Sequence, residues 1–209
     1  MDLYTKKLLK NFRNKRPLYE DFCLALNNSL ATLLDKNKYK YQIYYRVKSL
    51  ERLEEKITRK RKHRKIYEKI VDIEDLAGIR VIFYLESDKE KFVKDLKESL
   101  YHLKSVRKVK KKNGYHARHV IMSFGDELAK CREFKNFKNL KCEVQLVSMI
   151  DHAFAELEHD WIYKDVNNLK DKNPKKYKIL KKIMGSIFKN YIEKINLKFE
   201  KAYKQLSPN

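Results

Sequence analysis

The sequence predicts an α+β fold, a mixed sheet of about five strands flanked by helices and followed by a long C-terminal helix. Three observations predict it. Apolar residues recur at three- and four-residue steps in several long segments. Short runs between those segments are rich in β-branched and aromatic residues. Glycine and proline are scarce, 4 and 3 in 209 residues, which leaves no composition for an inter-domain linker. Residues 1–209 are therefore read as one domain, with a core over about 19–164, an N-terminal helical segment 1–18 and a C-terminal helical extension 165–209.

The elements follow in order. Leu18 to Leu34 carries Phe22, Leu26, Leu30 and Leu33 on one helical face, with Pro17 suited to its first turn. Tyr41 to Val47 alternates as a strand, with Ile43 and Tyr45 on one face. Ser49 caps a helix reaching about Arg61, with Leu50, Leu53 and Ile57 inward and a basic opposite face. A short helix near Tyr67–Val71 follows. Ala77 to Tyr84 is a continuous apolar run and reads as a central strand. Ser87 is the expected cap of a helix through Leu100, with Phe92, Val93, Leu96 and Leu100 inward. Val106–Val109, Ala117–Phe124 and Lys141–Val147 read as three more strands. Ser148 caps a helix carrying Ile150 to Tyr163. Pro174 to Leu206 reads as one helix, kinked at Gly185, with Ile179, Ile183, Ile187, Tyr191 and Ile195 as its packing stripe.

Composition bounds the function. Hydrophobic residues make up 43%, enough for a folded core. Lys+Arg 50 against Asp+Glu 28 gives a net charge of +22, a field that attracts nucleotides, RNA or anionic lipid. A lysine-rich composition spread over solvated faces is the plain alternative. Two basic runs, Arg59–Lys65 and Lys108–Lys112, nevertheless lie beside the motifs described next. Cys23, Cys131 and Cys142 are too few for a disulfide framework or a zinc site, so a reducing cytoplasm is expected. No signal peptide and no apolar run of membrane-spanning length is read, so no membrane partner is expected.

Four sets of residues suggest chemistry. Asp75 precedes a buried strand in which Gly78 and Arg80 share a face, Gly78 being expected to admit a close backbone approach. A carboxylate at a strand mouth suits Mg²⁺; a turn with a structural salt bridge would look the same. Glu143 sits between Cys142 and Val144, with Gln145 on its face. It must be paired, metal-bound or exposed at an edge, because an unpaired buried carboxylate is costly. Asn113-Gly114 is a turn leading to Tyr115 and His119, where the tyrosine could stack on a base or be half-buried in a plain hairpin. Arg46, Lys48, Lys56 and Arg59 could clamp a triphosphate, Lys56 and Arg59 sharing one helical face; a solvated basic face is the alternative.

Taken together these sets resemble a known family. Arg46-Val-Lys48, Lys56, Asp75-Leu-Ala-Gly-Ile-Arg80, Asn113-Gly-Tyr115 with His119, Glu143-Val-Gln145, His152 to His159 and Tyr163-Lys164 occur in the order and spacing of the RelA/SpoT-type alarmone synthetase domain. The resemblance covers roughly Tyr19 to Lys164 and is nearest the small stand-alone synthetases. It implies a nucleotidyltransferase-like fold and a pyrophosphokinase that moves the β,γ-pyrophosphate of ATP to a ribose 3′-hydroxyl, releasing AMP. It implies that Arg46 and Arg80 sandwich the adenine, and that Lys48, Lys56 and Arg59 hold the ATP phosphates. Asp75 and Glu143 would be the catalytic carboxylates and bind Mg²⁺, Glu143 also helping to deprotonate the attacking hydroxyl. Tyr115 would stack on the acceptor base, Lys111 would meet acceptor phosphates, and His119, Gln145 and His152 would lie near the acceptor.

The chain departs from that pattern in three places. Val147-Ser148 stands where the family usually continues to Arg-Thr. The stretch 104–112 is almost wholly basic and lacks the usual guanosine-loop segment. No hydrolase half is read. Two acceptors follow, GDP or GTP to give a (p)ppGpp-type messenger, or the 3′ end of deacylated tRNA, as in toxic small synthetases that a protein antitoxin neutralises. An inactive RNA-binding module is a third reading, opposed by the two carboxylates in a positive cleft. The C-terminal helix is expected to pack on the domain or to pair with another copy in a homo-oligomer.

Overall fold

In the computed structural model, which describes residues 2–64, 66–110, 116–163 and 169–206, the N-terminal apolar pattern forms a single helix, α1, from Leu3 to Lys36. Asp2 caps it by accepting from the Thr5 amide at 3.0 Å. The expected start at Leu18 is corrected: Pro17 lies inside the helix, not in its first turn. An interior proline costs about 3 kcal/mol. Leu8 and Phe12 continue the buried stripe N-terminal to it, and two such side chains return roughly 3–6 kcal/mol. Phe12 meets Tyr19 edge-on at 5.7 Å, across the proline.

The sheet has five strands: β1 Tyr41–Val47, β2 Ala77–Phe83, β3 Tyr101–Lys110, β4 His116–Phe124 and β5 Cys142–Ser148. Their order is β1-β2-β5-β4-β3. Only β2 and β5 are parallel; the other neighbours are antiparallel. Alternation divides the faces. Ile79, Val81 and Phe83 of β2, Val144 and Leu146 of β5, and Val120 and Met122 of β4 join α1 in the main core. The opposite face carries Gly78, Arg80, Glu143, Gln145 and His119, and is the face of interest. β3 is a longer edge strand than Val106–Val109 suggested, because pairing with β4 recruits its polar first half.

Helix α2, Leu50–Lys62, begins at the Ser49 cap and buries Leu53 and Ile57. A 3₁₀ turn at Ile70–Asp72 takes the place of the short helix expected near Tyr67. Helix α3, Asp88–Glu98, corrects two expectations. Ser87 does not cap it: its amide and hydroxyl both donate to Glu200. Leu100 is 63% exposed, because the helix ends at Ser99, whose backbone is extended. A short helix α4, Asp126–Lys130, and a 3₁₀ turn at Lys135–Phe137 connect β4 to β5. Helix α5, Met149–Glu158, starts at the Ser148 cap and passes into a π-helical turn, His159–Tyr163.

The C-terminal segment contains α6 Leu169–Lys172, α7 Pro174–Ile187, a π-helical turn Phe188–Ile192 and α8 Glu193–Leu206. The long helix expected over Pro174–Leu206 is present, with a π-helical turn within it, but its packing stripe from Ile179 to Ile195 is corrected. Ile179, Ile183 and Tyr191 are more than half exposed, while Met184 and Phe188 are buried against Phe154 and Ile162. The buried face is the neighbouring one, and the irregular turn falls at Phe188 rather than at Gly185. No helix of the described residues is long and apolar enough to cross a membrane.

Candidate active site

Strand register builds the site. Arg46 of β1 lies opposite Gly78 of β2, and Gly78 opposite Glu143 of β5. One row along, Tyr44 faces Arg80, Arg80 faces Gln145, Gln145 faces His119 of β4, and His119 faces Arg107 of β3. Residues drawn from five strands thus form two adjacent rows on one surface. Those of β1, β2 and β5 floor a cleft of about 530 Å³, also lined by Lys48, Asp75, His152, Glu156 and His159. A second recess of about 460 Å³ shares Arg46, Lys48, Asp75 and His159 and adds Arg52, Lys56 and Arg59 from α2.

The rows are joined by a continuous polar chain. His119 Nδ1 donates to Glu143 Oε1 at 3.2 Å, since an ionised carboxylate can only accept. Gln145 Nε2 donates to Glu143 Oε2 at 2.9 Å. Arg80 donates to Gln145 Oε1 through Nη2 at 3.1 Å and Nε at 3.3 Å. Arg80 Nη1 donates to Glu156 Oε1 at 2.6 Å and lies 3.3 Å from His152 Nδ1. Burial, reinforced by the Arg80 charge, pushes the His152 pKa down, which suits an imidazole accepting at Nδ1.

Burial alone would push the Glu143 carboxyl up. The His119 hydrogen bond and charge, the Gln145 amide and the Lys56 charge outweigh it and hold Glu143 at about 2. It is therefore fully ionised at neutral pH. At the strand mouth, Asp75 pairs with Lys56 at 2.5 Å and Lys48 at 3.4 Å. Burial lowers the Lys48 pKa, and the Lys56 and Arg46 charges lower it further against the pull of Asp75. Asp75 Oδ1 is buried and accepts no aligned hydrogen bond, its Lys56 contact being purely an ion pair.

Of the residues expected from the sequence, Arg46, Lys48, Asp75, Arg80, Glu143, Gln145 and His152 line the cleft, and Lys56 and Arg59 line the adjoining recess. His119 joins them through Glu143. Lys111 and Tyr115 lie outside the described residues. The close approach expected at Gly78 is corrected: a Cβ there would meet Arg46 and Glu143 atoms at 3.9 Å, ordinary contact. Glycine leaves the floor between Arg46 and Glu143 open instead. Among the lining residues with no role assigned from sequence, two stand out. Glu156 lies one helical turn beyond His152, and Tyr44, 57% exposed, lies two residues before Arg46. The i,i+4 and i,i+2 spacings were the available signals.

Among the described residues no group of three or more histidine, cysteine or acidic side chains could hold a metal ion. Asp75 and Glu143 are the two carboxylates of the cleft floor and mouth. The three cysteines are free, Cys23 and Cys142 buried beneath the sheet and Cys131 exposed.

The comparisons with known proteins agree with this fold. The model of the region found in RelA/SpoT proteins matches residues 45–168. No curated protein sequence matches the chain significantly. Among solved structures, the small alarmone synthetase 2 from Bacillus subtilis is similar at 22% identity and a TM-score of 0.73, covering 93% of this chain and 99% of that one. The small alarmone synthetase 1 from Bacillus subtilis bound to its product pppGpp is similar at 17% identity and a TM-score of 0.71, covering 95% and 100%. A GTP pyrophosphokinase family protein from Streptococcus pneumoniae is similar at 20% identity and a TM-score of 0.68, covering 100% of both. The chain belongs to the RelA/SpoT family, a pyrophosphokinase-type enzyme on the fold of the small alarmone synthetases.

Proposed function

We propose that the protein transfers the β,γ-pyrophosphate of ATP to the ribose 3′-hydroxyl of GDP or GTP. The observation that carries this is the chain His119–Glu143–Gln145–Arg80 at a cleft that adjoins a cationic recess at Lys48, Lys56 and Arg59 through the shared Arg46, Lys48 and Asp75. The chain suits a hydroxyl nucleophile and the recess a polyphosphate. The acceptor oxygen forms a bond to the β-phosphorus, the bond from that phosphorus to the α,β-bridging oxygen breaks, and AMP leaves with the electron pair. Positioning and charge neutralisation dominate such a reaction.

Each side chain has a part. Arg46 and Arg80 flank the adenine across the open Gly78 floor. Lys48, Lys56 and Arg59 meet the phosphates. His119, Gln145 and His152 face the acceptor, with Tyr115 stacking on its base and Lys111 on its phosphates. Glu143 receives the hydroxyl proton. Held at about 2 it is ionised but weakly basic. Phosphates that draw Lys56 away and add negative charge raise its proton affinity when base catalysis is needed.

Asp75 and Glu143 fit Mg²⁺, which takes one or two carboxylates plus substrate phosphates rather than a full protein cage. Asp75 Oδ1, neutralised by Lys56 at 2.5 Å, is the oxygen that phosphates drawing Lys56 away would free for the ion. When bound, the ion would neutralise charge on the transferred phosphates. The resemblance of the fold to a synthetase solved with pppGpp supports a guanosine acceptor.

A second acceptor, the 3′ end of deacylated tRNA, is favoured by one observation. Lys104, Arg107 and Lys108 are exposed on the β3 edge strand, and Arg107 pairs in register with His119. Such a toxin would need a neutralising protein. Purified protein with Mg²⁺ and ATP labelled at the γ-phosphate, offered GDP, GTP and deacylated tRNA in parallel, separates the two. Label on guanosine nucleotide supports the first reading, label on tRNA alone the second, and no label with no AMP defeats both.

A further inference from the structure

The C-terminal helix reaches the site through a buried polar network. Along the buried face of the C-terminal segment, Met184, Phe188 and Ile192 are followed at the same four-residue step by Asn196. Packing alone would call for a fourth apolar residue there. Asn196 Nδ2 instead donates to Asp151 Oδ1 at 3.1 Å, and Ser148 Oγ donates to Asn196 Oδ1 at 3.3 Å. The same Ser148 Oγ accepts from the Asp151 amide at 3.1 Å, capping α5. Lys89 Nζ lies 3.4 Å from Asp151 Oδ2. One turn along α8, Glu200 accepts from the Ser87 amide at 2.7 Å. Ser148, Asp151, Lys89 and Asn196 are all at most 9% exposed.

A buried ion pair adds little net stability, whereas a connected polar network, extended here by Glu86 Oε2 at 2.7 Å from Lys89 Nζ, fixes one arrangement of its elements. What it fixes is the first turn of α5. Immediately beyond that turn, His152 and Glu156 contact Arg80.

We propose that Asn196 is a positioning residue for the nucleotide site, locking the N-terminal turn of α5 through Ser148 and Asp151 and thereby setting where His152 and Glu156 hold Arg80. The proposal rests on the reading of Arg80 as an ATP contact. The C-terminal helix is then part of the working site, although it lines none of it.

The test is Asn196→Ala in the full chain, with kcat, KM for ATP and KM for the acceptor measured alongside thermal unfolding. The expected result is a KM for ATP raised about tenfold, with a smaller rise in the acceptor KM, since His152 also faces the acceptor, and kcat changed less than about twofold. In a Glu156→Ala, His152→Ala background the same substitution has little further effect, because what it positions is gone. An unchanged KM for ATP, or effects that add in full, overturns the proposal. Should Asn196→Ala lose cooperative unfolding, the near-isosteric Asn196→Leu keeps the packing volume while removing both hydrogen bonds to Ser148 and Asp151 and must raise the KM for ATP in the same direction; no rise overturns the proposal. If the wild type transfers no pyrophosphate, the reaction assigned above fails, and ATP affinity of wild type and variant by calorimetry still decides the positioning role. Absence of ATP binding by the wild type overturns both.

Discussion

Glu143→Gln tests the centre of the site, and its size can be worked from the structure. The carboxyl is held at about 2 against an ordinary value of 4.5. At about 1.4 kcal/mol per pH unit, that depression of about 2.5 is worth roughly 3 kcal/mol of folded-state stability at neutral pH. The sign follows from the direction. An acid depressed on folding contributes in full above its unfolded value and loses the contribution as pH falls through its folded value. The contribution is therefore present above about pH 4.5 and gone near pH 2. The glutamine variant lacks this titration, so the wild-type minus variant difference in unfolding free energy shrinks by roughly 3 kcal/mol across that window. Chemical denaturation at a series of pH values measures it. The same substitution removes the proposed proton acceptor and proposed anionic ligand, so label transfer falls about 10²–10⁴-fold. A variant that folds and transfers label at the wild-type rate refutes the catalytic reading. A difference that does not change with pH refutes the electrostatic one.

Other perturbations have equally definite outcomes. Lys56→Met leaves Asp75 with Lys48 alone; the KM for ATP rises about tenfold or more, and the Lys48 pKa rises because a neighbouring cation is gone, readable by ¹⁵N NMR titration. Gly78→Ala meets only 3.9 Å contacts and should keep its melting temperature within a few degrees, while filling the floor between Arg46 and Glu143 and raising the KM for ATP. An unchanged KM would show that the floor need not be open. Phe12→Ala, at a fully buried position, costs about 3–5 kcal/mol in denaturant unfolding; a loss under 1 kcal/mol would show that the first half of α1 is not part of the core.

Legibility differed by element for physical reasons. The strand Tyr41–Val47 and the helix capped at Ser49 were readable nearly to the residue, because alternation and capping are local signals. Helix α1 was misread at Pro17 because the local penalty is visible in sequence and the burial of Leu8 and Phe12 that offsets it is not. Ser87 looked like a cap because serine before an acidic turn usually is one; a glutamate 113 residues away claimed it. The C-terminal stripe failed for a related reason. Both Ile179–Tyr191 and Met184–Phe188 are apolar at helical spacing, and only contact with Phe154 and Ile162 chooses between them.

By itself the sequence singled out the residues proposed to carry the chemistry. Asp75, Arg80, Glu143 and Gln145 are polar in runs otherwise apolar, and period-two alternation already assigned Gly78 with Arg80, and Glu143 with Gln145, to common faces. Tertiary structure decided how those faces combine. Register across β1, β2, β5 and β4 turned separate polar residues into two rows, and placed His119 on Glu143 and Arg80 on Gln145. It also decided that α8 reaches α5 through Asn196. Pairing and docking depend on contacts between residues tens of positions apart, and local periodicity contains no information about which distant partner satisfies a buried polar group.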